Sequence, residues 1–80
     1  MFYVYLLESI SEPSERYIGF TANLKDRLKR HNADEALHTA KFRPWRMVTY
    51  LAFTDRVKAL AFEKYLKVGS GHAFARKRLW

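Results

Sequence analysis

Residues 2 to 8, FYVYLLE, are aromatic, β-branched or apolar at nearly every position. That pattern suits a strand covered on both faces better than one with a solvent face. Phe2, Val4 and Leu6 point one way, with Tyr3, Tyr5 and Leu7 opposite. The chain is therefore read around a central strand. The segment 9-SISEPSE-15 collects loop formers, and 16-RYIGF-20 resumes an extended apolar pattern, so the two runs read as a hairpin.

Thr21 stands where a hydroxyl can cap the following helix, and Asn32 ends it. Residues 33 to 43 show no period and read as an irregular connection with room for one helical turn. Pro44 delimits a third strand, 46-RMVTYLAF-53, in which Met47, Thr49, Leu51 and Phe53 alternate with Val48, Tyr50 and Ala52. Thr54 repeats the capping arrangement before a helix over 55–68, which Gly69 stops. After a hinge-like 69-GSG-71, residues 72–80 read as a short basic helix that docks through Phe74 and Trp80. The expected order is β-β-α-β-α-α, an α+β fold.

Eighty residues suit one small domain, 1–80, with 49% apolar and 16% aromatic content to build its core. Cysteine is absent, so the chain has no disulfide and no thiolate nucleophile, and a zinc site would need His and carboxylate alone. A reducing compartment is compatible, and a cytoplasmic location is expected. The N-terminal apolar run is too short to cross a bilayer and lacks the basic start of a secretory leader. The net charge of +7, from 15 Lys+Arg against 8 Asp+Glu, favours a polyanionic partner. Nucleic acid leads, with an anionic membrane surface and simple solubility left open by charge alone.

At about 100° per residue, the first helix gathers Leu24, Arg27, Leu28 and His31 on one side, with Lys25, Asp26, Lys29 and Arg30 on the other. Arg27 on the buried margin can simply pack its stem and send the guanidinium to water. His31 can simply be a helix-end histidine that suits the dipole when charged. Tyr5 and Tyr17 fall on neighbouring positions of a hairpin face, where an aromatic cross-strand pair is common. Gly19 within the second strand marks either a close approach to the backbone or a bend. Glu63 lies at the edge of the apolar arc of its helix, and Lys67 four residues on offers it a surface ion pair.

The ordered set 3-YVY-5, then after eleven residues 17-YIG-19, then 27-RLKRH-31 and a later helical Glu63 resembles the GIY-YIG nuclease domain over nearly the whole chain. The small stand-alone bacterial members are most similar, with Pro44 and Trp45 matching a P-W pair before their third strand. The resemblance implies a central three-stranded antiparallel sheet flanked by helices. It further implies an endonuclease that hydrolyses DNA phosphodiester bonds with one divalent ion, Mg²⁺ or Mn²⁺, in repair or recombination. On it, Tyr5 and Tyr17 match the two motif tyrosines, Arg27 and His31 the helix residues, and Glu63 the metal-binding carboxylate. Arg27 and the ion would stabilise charge on phosphate oxygens, and Tyr5 or Tyr17 would be the base. His31 would orient a tyrosine, bind phosphate or shuttle a proton.

Two departures stand out. The first motif lacks its Gly, and no Asn follows residue 32, where some members use a late one; either Ser70 or His72 substitutes or that interaction is missing. Larger members attach separate DNA-binding domains. Here DNA targeting, with RNA still open, falls to Lys41, Arg43, Arg46, Arg76, Lys77 and Arg78, to homodimerisation or to a targeting protein. The competing expectation is a nucleic-acid-binding module that keeps the fold and has lost catalysis.

Overall fold

A computed structural model describes residues 1–33 and 39–80. The N-terminal run forms β1 (Phe2–Ser9), and the hairpin returns as β2 (Arg16–Thr21). Then come α1 (Leu24–His31), a single 3-10 turn (Ala40–Phe42), β3 (Trp45–Phe53), α2 (Arg56–Leu66) and α3 (Gly69–Arg78). Both sheet pairings are antiparallel and the strand order is β2-β1-β3, so the doubly apolar strand is central as its pattern predicts. The 3-10 turn supplies the one helical turn expected between residues 33 and 43; residues 34–38 of that connection lie outside the described residues.

The two faces of β1 build two cores. Val4 and Leu6 pack with Ala59 and Leu66 of α2 and Ala75 of α3. Tyr5 and Leu7 pack with Trp45, Met47, Tyr17 and the α1 residues Leu24 and Leu28. Leu79 and Trp80 dock on the first core, as expected for Trp80, while Phe74 stays 39% exposed against the rings of Phe62 and Tyr65. Among the described residues no helix is long and apolar enough to cross a membrane.

Four local expectations need correction. In β3 the pairing runs Leu6↔Thr49 and then Leu7↔Met47, so Val48 is an extra residue in a bulge. Simple alternation put Met47 on the face of Thr49, Leu51 and Phe53. The bulge turns Met47 to the Tyr5 side, while Leu51 and Phe53 stay with Val4 and Leu6.

The caps are not the threonines. Asn23 caps α1 by accepting from the Asp26 amide at 3.0 Å, while Thr21 ends β2 and its hydroxyl accepts from the Asn23 amide at 3.1 Å. Asp55, and not Thr54, caps α2, accepting from the amides of Val57 and Lys58 at 2.9 and 3.3 Å. Asn and Asp reach the first-turn amides with an sp² oxygen and rank above Thr as caps.

The segment 69-GSG-71 is no hinge; it is the first turn of α3. Gly69 takes a positive φ of 53°, which turns the chain out of α2. Gly71 lies against the Tyr65 carbonyl so closely that a β-carbon would collide with it. Glycine there lets the start of α3 touch the end of α2.

Candidate active site

The hairpin register places Tyr5 opposite Gly19 and Leu7 opposite Tyr17, so both tyrosines and the glycine share the face toward α1. The ring of Tyr5 lies directly over Gly19. A β-carbon at Gly19 would run into the Tyr5 ring carbon and hydroxyl, and would stand 2.8 Å from Tyr17 Cε1. Close approach, one of the two readings of a glycine in this strand, is therefore what occurs. Tyr5 is 1% exposed, and Tyr17 is half-buried.

Helix α1 presents the stripe expected from its wheel. Leu24, Arg27 and Leu28 are half-buried and His31 is buried, whereas Lys25, Asp26, Lys29 and Arg30 are exposed. The C-terminal end of α1 is fixed to β3 by Asn32, whose side-chain amide donates to the Trp45 carbonyl while its oxygen accepts from the Trp45 amide. That clamp sets the position of His31, one residue earlier.

His31 connects the two layers. Its Nε2 is 2.9 Å from the Tyr5 hydroxyl, and its Nδ1 is 2.8 Å from Thr39 Oγ1. The Tyr17 ring packs against the imidazole, with centroids 4.7 Å apart, and the Tyr5 and Tyr17 rings are 6.1 Å apart. Burial pushes the His31 pKa down, and the Arg27 guanidinium pushes it further in the same direction. Burial pushes the Tyr5 pKa well above its ordinary value; Tyr17 adds to the rise, and Arg27 opposes it by charge and hydrogen bonding.

Near neutral pH both groups are therefore uncharged. A neutral imidazole bridges the two hydroxyls in either tautomer; with its proton on Nδ1 it donates to Thr39 Oγ1 while Nε2 accepts from the Tyr5 O–H. The shift also separates the two tyrosines. Tyr5 is held protonated and out of solvent, whereas Tyr17 borders an open cleft.

That cleft, about 340 Å³, runs along the β2 edge between Arg16 and Tyr17 on one side and Lys67, His72, Arg76 and Trp80 on the other. Glu63 is tied to it through Lys67: Lys67 Nζ donates to Glu63 Oε2 at 2.7 Å, the surface pair that the i,i+4 spacing anticipates. Tyr5, Tyr17 and His31 are in mutual contact, with Arg27 acting on Tyr5 and His31. Glu63 is paired with Lys67, which lines the cleft together with Tyr17.

Among the described residues no cluster of three or more His, Cys, Asp or Glu side chains exists. A carboxylate such as Glu63, whose ion pair uses Oε2, is the kind of ligand Mg²⁺ takes, since that ion binds through one or two carboxylates and keeps several waters. It does not suit a metal that requires a full protein cage. Glu63 is thus chemically compatible with the expected Mg²⁺ or Mn²⁺.

The other basic candidates are all exposed: Lys41, Arg43, Arg46, Arg76, Lys77 and Arg78. Arg46 is bonded to Glu8 at 2.8 Å, which offsets its charge, while Arg76 borders the cleft. Of the two substitutes for a late Asn, His72 lines the cleft and Ser70 lies in the first turn of α3. Sequence reasoning missed Thr39, whose hydroxyl meets His31 Nδ1, and the contributions of Arg16, Lys67 and Trp80 to the cleft. For Lys67 a signal existed in its spacing from Glu63; Thr39 sits in a segment without periodicity.

Comparison with known proteins bears on this geometry. The chain is 41% identical over 83 residues to the structure-specific endonuclease subunit SLX1 of Candida dubliniensis, an alignment covering 95% of this chain and 28% of that protein. It is 42% identical over 65 residues to the SLX1 homolog of Giardia intestinalis, covering 76% of this chain and 18% of the relative. The chain thus spans less than a third of these curated relatives. Among solved structures, the UPF0213 protein BH0048 of Bacillus halodurans superposes with a TM-score of 0.56 at 26% identity, over 98% of this chain and 86% of that one. The sequence relatives are eukaryotic and the structural one bacterial, so the likeness to bacterial members says nothing of the source of this chain. The family model described as the GIY-YIG catalytic domain matches residues 1–75, and the chain belongs to the GIY-YIG family.

Proposed function

We propose that residues 1–80 act as one catalytic domain of a divalent-metal-dependent endonuclease that hydrolyses DNA phosphodiester bonds. The observation that carries this reading is the neutral His31–Tyr5 pair buried against Tyr17, with Arg27 beside it. A water attacking phosphorus must lose a proton, and this arrangement offers a path for it. Tyr17 borders solvent and takes up the proton while releasing its own to Tyr5, and Tyr5 passes its proton to His31 Nε2. His31, kept neutral by burial and by Arg27, is the acceptor; Tyr5 relays without ionising. Thr39 holds the Nδ1 proton so that Nε2 stays free to receive.

Arg27 stabilises the negative charge that gathers on the phosphate oxygens, and water protonates the leaving oxygen. Glu63 would hold Mg²⁺ or Mn²⁺, which supplies further charge neutralisation at the phosphate when bound. Lys41, Arg43, Arg46, Arg76, Lys77 and Arg78 contact the DNA backbone in this reading. The names of the Candida and Giardia relatives, both structure-specific endonuclease subunits, support a substrate recognised by its structure and a partner subunit, and a role in repair or recombination is part of the same proposal.

The test is a cleavage panel with Mg²⁺ and with Mn²⁺ on single-stranded, duplex, flap and branched DNA. Arg27→Ala and Glu63→Gln should each slow cutting by about 100-fold or more while circular dichroism stays unchanged. Cutting near the parent rate in both variants would sink the assignment. A second reading, a DNA-binding module without catalysis, is favoured by the Lys67 ammonium already paired with Glu63. It expects salt-dependent binding with no cleavage on any substrate in the panel.

A further inference from the structure

The cleft at the β2 edge combines features that the proton relay does not use. The Arg16 guanidinium lies over the Trp80 ring, 4.8 Å from its centroid, and Tyr17 adds a second aromatic wall. Lys67, His72 and Arg76 approach from α2 and α3. Lys67 is paired with Glu63 and Arg16 approaches Glu8 at 3.7 Å, whereas Arg76 makes no ion pair with any described residue. The volume, about 340 Å³, lies at the small end of ligand-sized clefts.

A stacked guanidinium and aromatic pair beside a cationic rim is how proteins hold an unpaired nucleotide. The base lies on the π-surface, and the phosphate meets the cations. A paired base inside a duplex cannot present its face in this way. We infer that this cleft seats one unpaired nucleotide of a DNA strand, its base against the Arg16–Trp80 stack and its phosphate at Arg76 and His72. Because Tyr17 lines the same cleft, the seated nucleotide adjoins the bond presented to Tyr17. The inference rests on the nucleic-acid reading proposed above and adds to it a preference for strands with a single-stranded segment.

The experiment reads binding without cleavage: fluorescence anisotropy of the whole chain in EDTA, with a duplex bearing a single-stranded overhang and with the blunt duplex of the same sequence. The overhang should bind more tightly. Arg16→Ala and Arg76→Ala should each reduce that preference by about fivefold or more. Arg76→Ala should also lower the slope of log affinity against log salt by about 0.7, the value for one phosphate contact on a single strand. Arg30→Ala, on the exposed arc of α1, should change neither. Equal binding of the two DNAs, or an unchanged preference in both cleft variants, overturns the inference. Nothing is cut in EDTA, so that outcome leaves Arg27-dependent cleavage standing. Loss of cleavage alone would equally leave the cleft standing.

Discussion

Strand β1 carries two cores made under different rules. On the side of α2 and α3, Val4, Leu6, Ala59, Leu66 and Ala75 are buried with no polar side chain among them. On the side of α1, the same strand buries Tyr5 against His31, whose other ring nitrogen meets buried Thr39, so each has a hydrogen-bonding partner. Among the described residues, no buried side-chain nitrogen or oxygen lacks a partner. Apolar contacts tolerate exchange for others of similar volume, whereas a polar network works only when every member is satisfied. One face can therefore vary widely and still hold the fold, and the other is confined to a specific set of groups.

Substitutions on the two faces should separate activity from stability. Arg27→Ala should lower kcat/KM by about 100- to 1,000-fold, the loss typical of one transition-state donor. Its urea midpoint should move little, because the side chain is only half-buried. Leu66→Ala, on the opposite face, should cost about 2–5 kcal/mol of unfolding free energy while activity per folded molecule is retained. If Arg27→Ala lost as much stability as Leu66→Ala, the division between the faces would be wrong.

A glycine on each side sharpens the comparison. Gly19→Ala places a β-carbon in the Tyr5 ring and beside Tyr17, so the phenols must shift. It should cost roughly 1–3 kcal/mol by overpacking, together with a fall in kcat that exceeds the fall in folded fraction. Gly71→Ala meets the Tyr65 carbonyl on the other side. It should cost a similar amount of stability and leave kcat of the folded protein unchanged.

Titration tests the polar face alone. His31 has a native pKa below its ordinary 6.5, so below that pH the unfolded chain binds a proton that the native state refuses. Stability should therefore be full above about pH 6.5 and decline as the pH falls. Activity should fall with it, because a protonated Nε2 cannot accept the relayed proton. His31→Gln should flatten the acid limb of the stability profile. Leu66→Ala should keep that limb, displaced to lower stability. An acid limb of unchanged size in His31→Gln would remove His31 as its cause.

Much of this division was legible in the sequence. Alternation in FYVYLLE separates Val4 and Leu6 from Tyr5 and Leu7, and the 3.6-residue period puts Arg27 and His31 on the inner arc of α1. Gly19 left a close neighbour or a bend open, and nothing in the pattern named Tyr5. The bulge at Val48 could not be read, because a strand that is apolar on both faces gives the same pattern in either register. Thr39 reaches His31 across eight residues from a segment with no period, so no pattern marks it. The 69-GSG-71 run reads as a hinge by composition, whereas packing against Tyr65 uses Gly71 for its missing β-carbon.

The smallest expected effects come from the caps, and they bear on whether the two faces are independent. Asn23 caps the helix that carries Arg27 and His31, and Asp55 caps the helix that carries Leu66. Each cap is exposed and lies outside both cores. Asn23→Ala and Asp55→Ala should therefore cost similar stability, about 1 kcal/mol each. Their effects on activity should differ. Fraying α1 from its first turn loosens Arg27, one turn along, so Asn23→Ala should lower kcat severalfold beyond the loss of folded protein. His31 is anchored at the far end by Asn32 and Thr39, and the acid limb of the stability profile should persist in that variant. Asp55→Ala should leave kcat unchanged, since α2 is held by the apolar core along its length. Equal loss of kcat in the two cap variants would mean that the faces communicate through β1, and that the chemistry depends on the whole sheet.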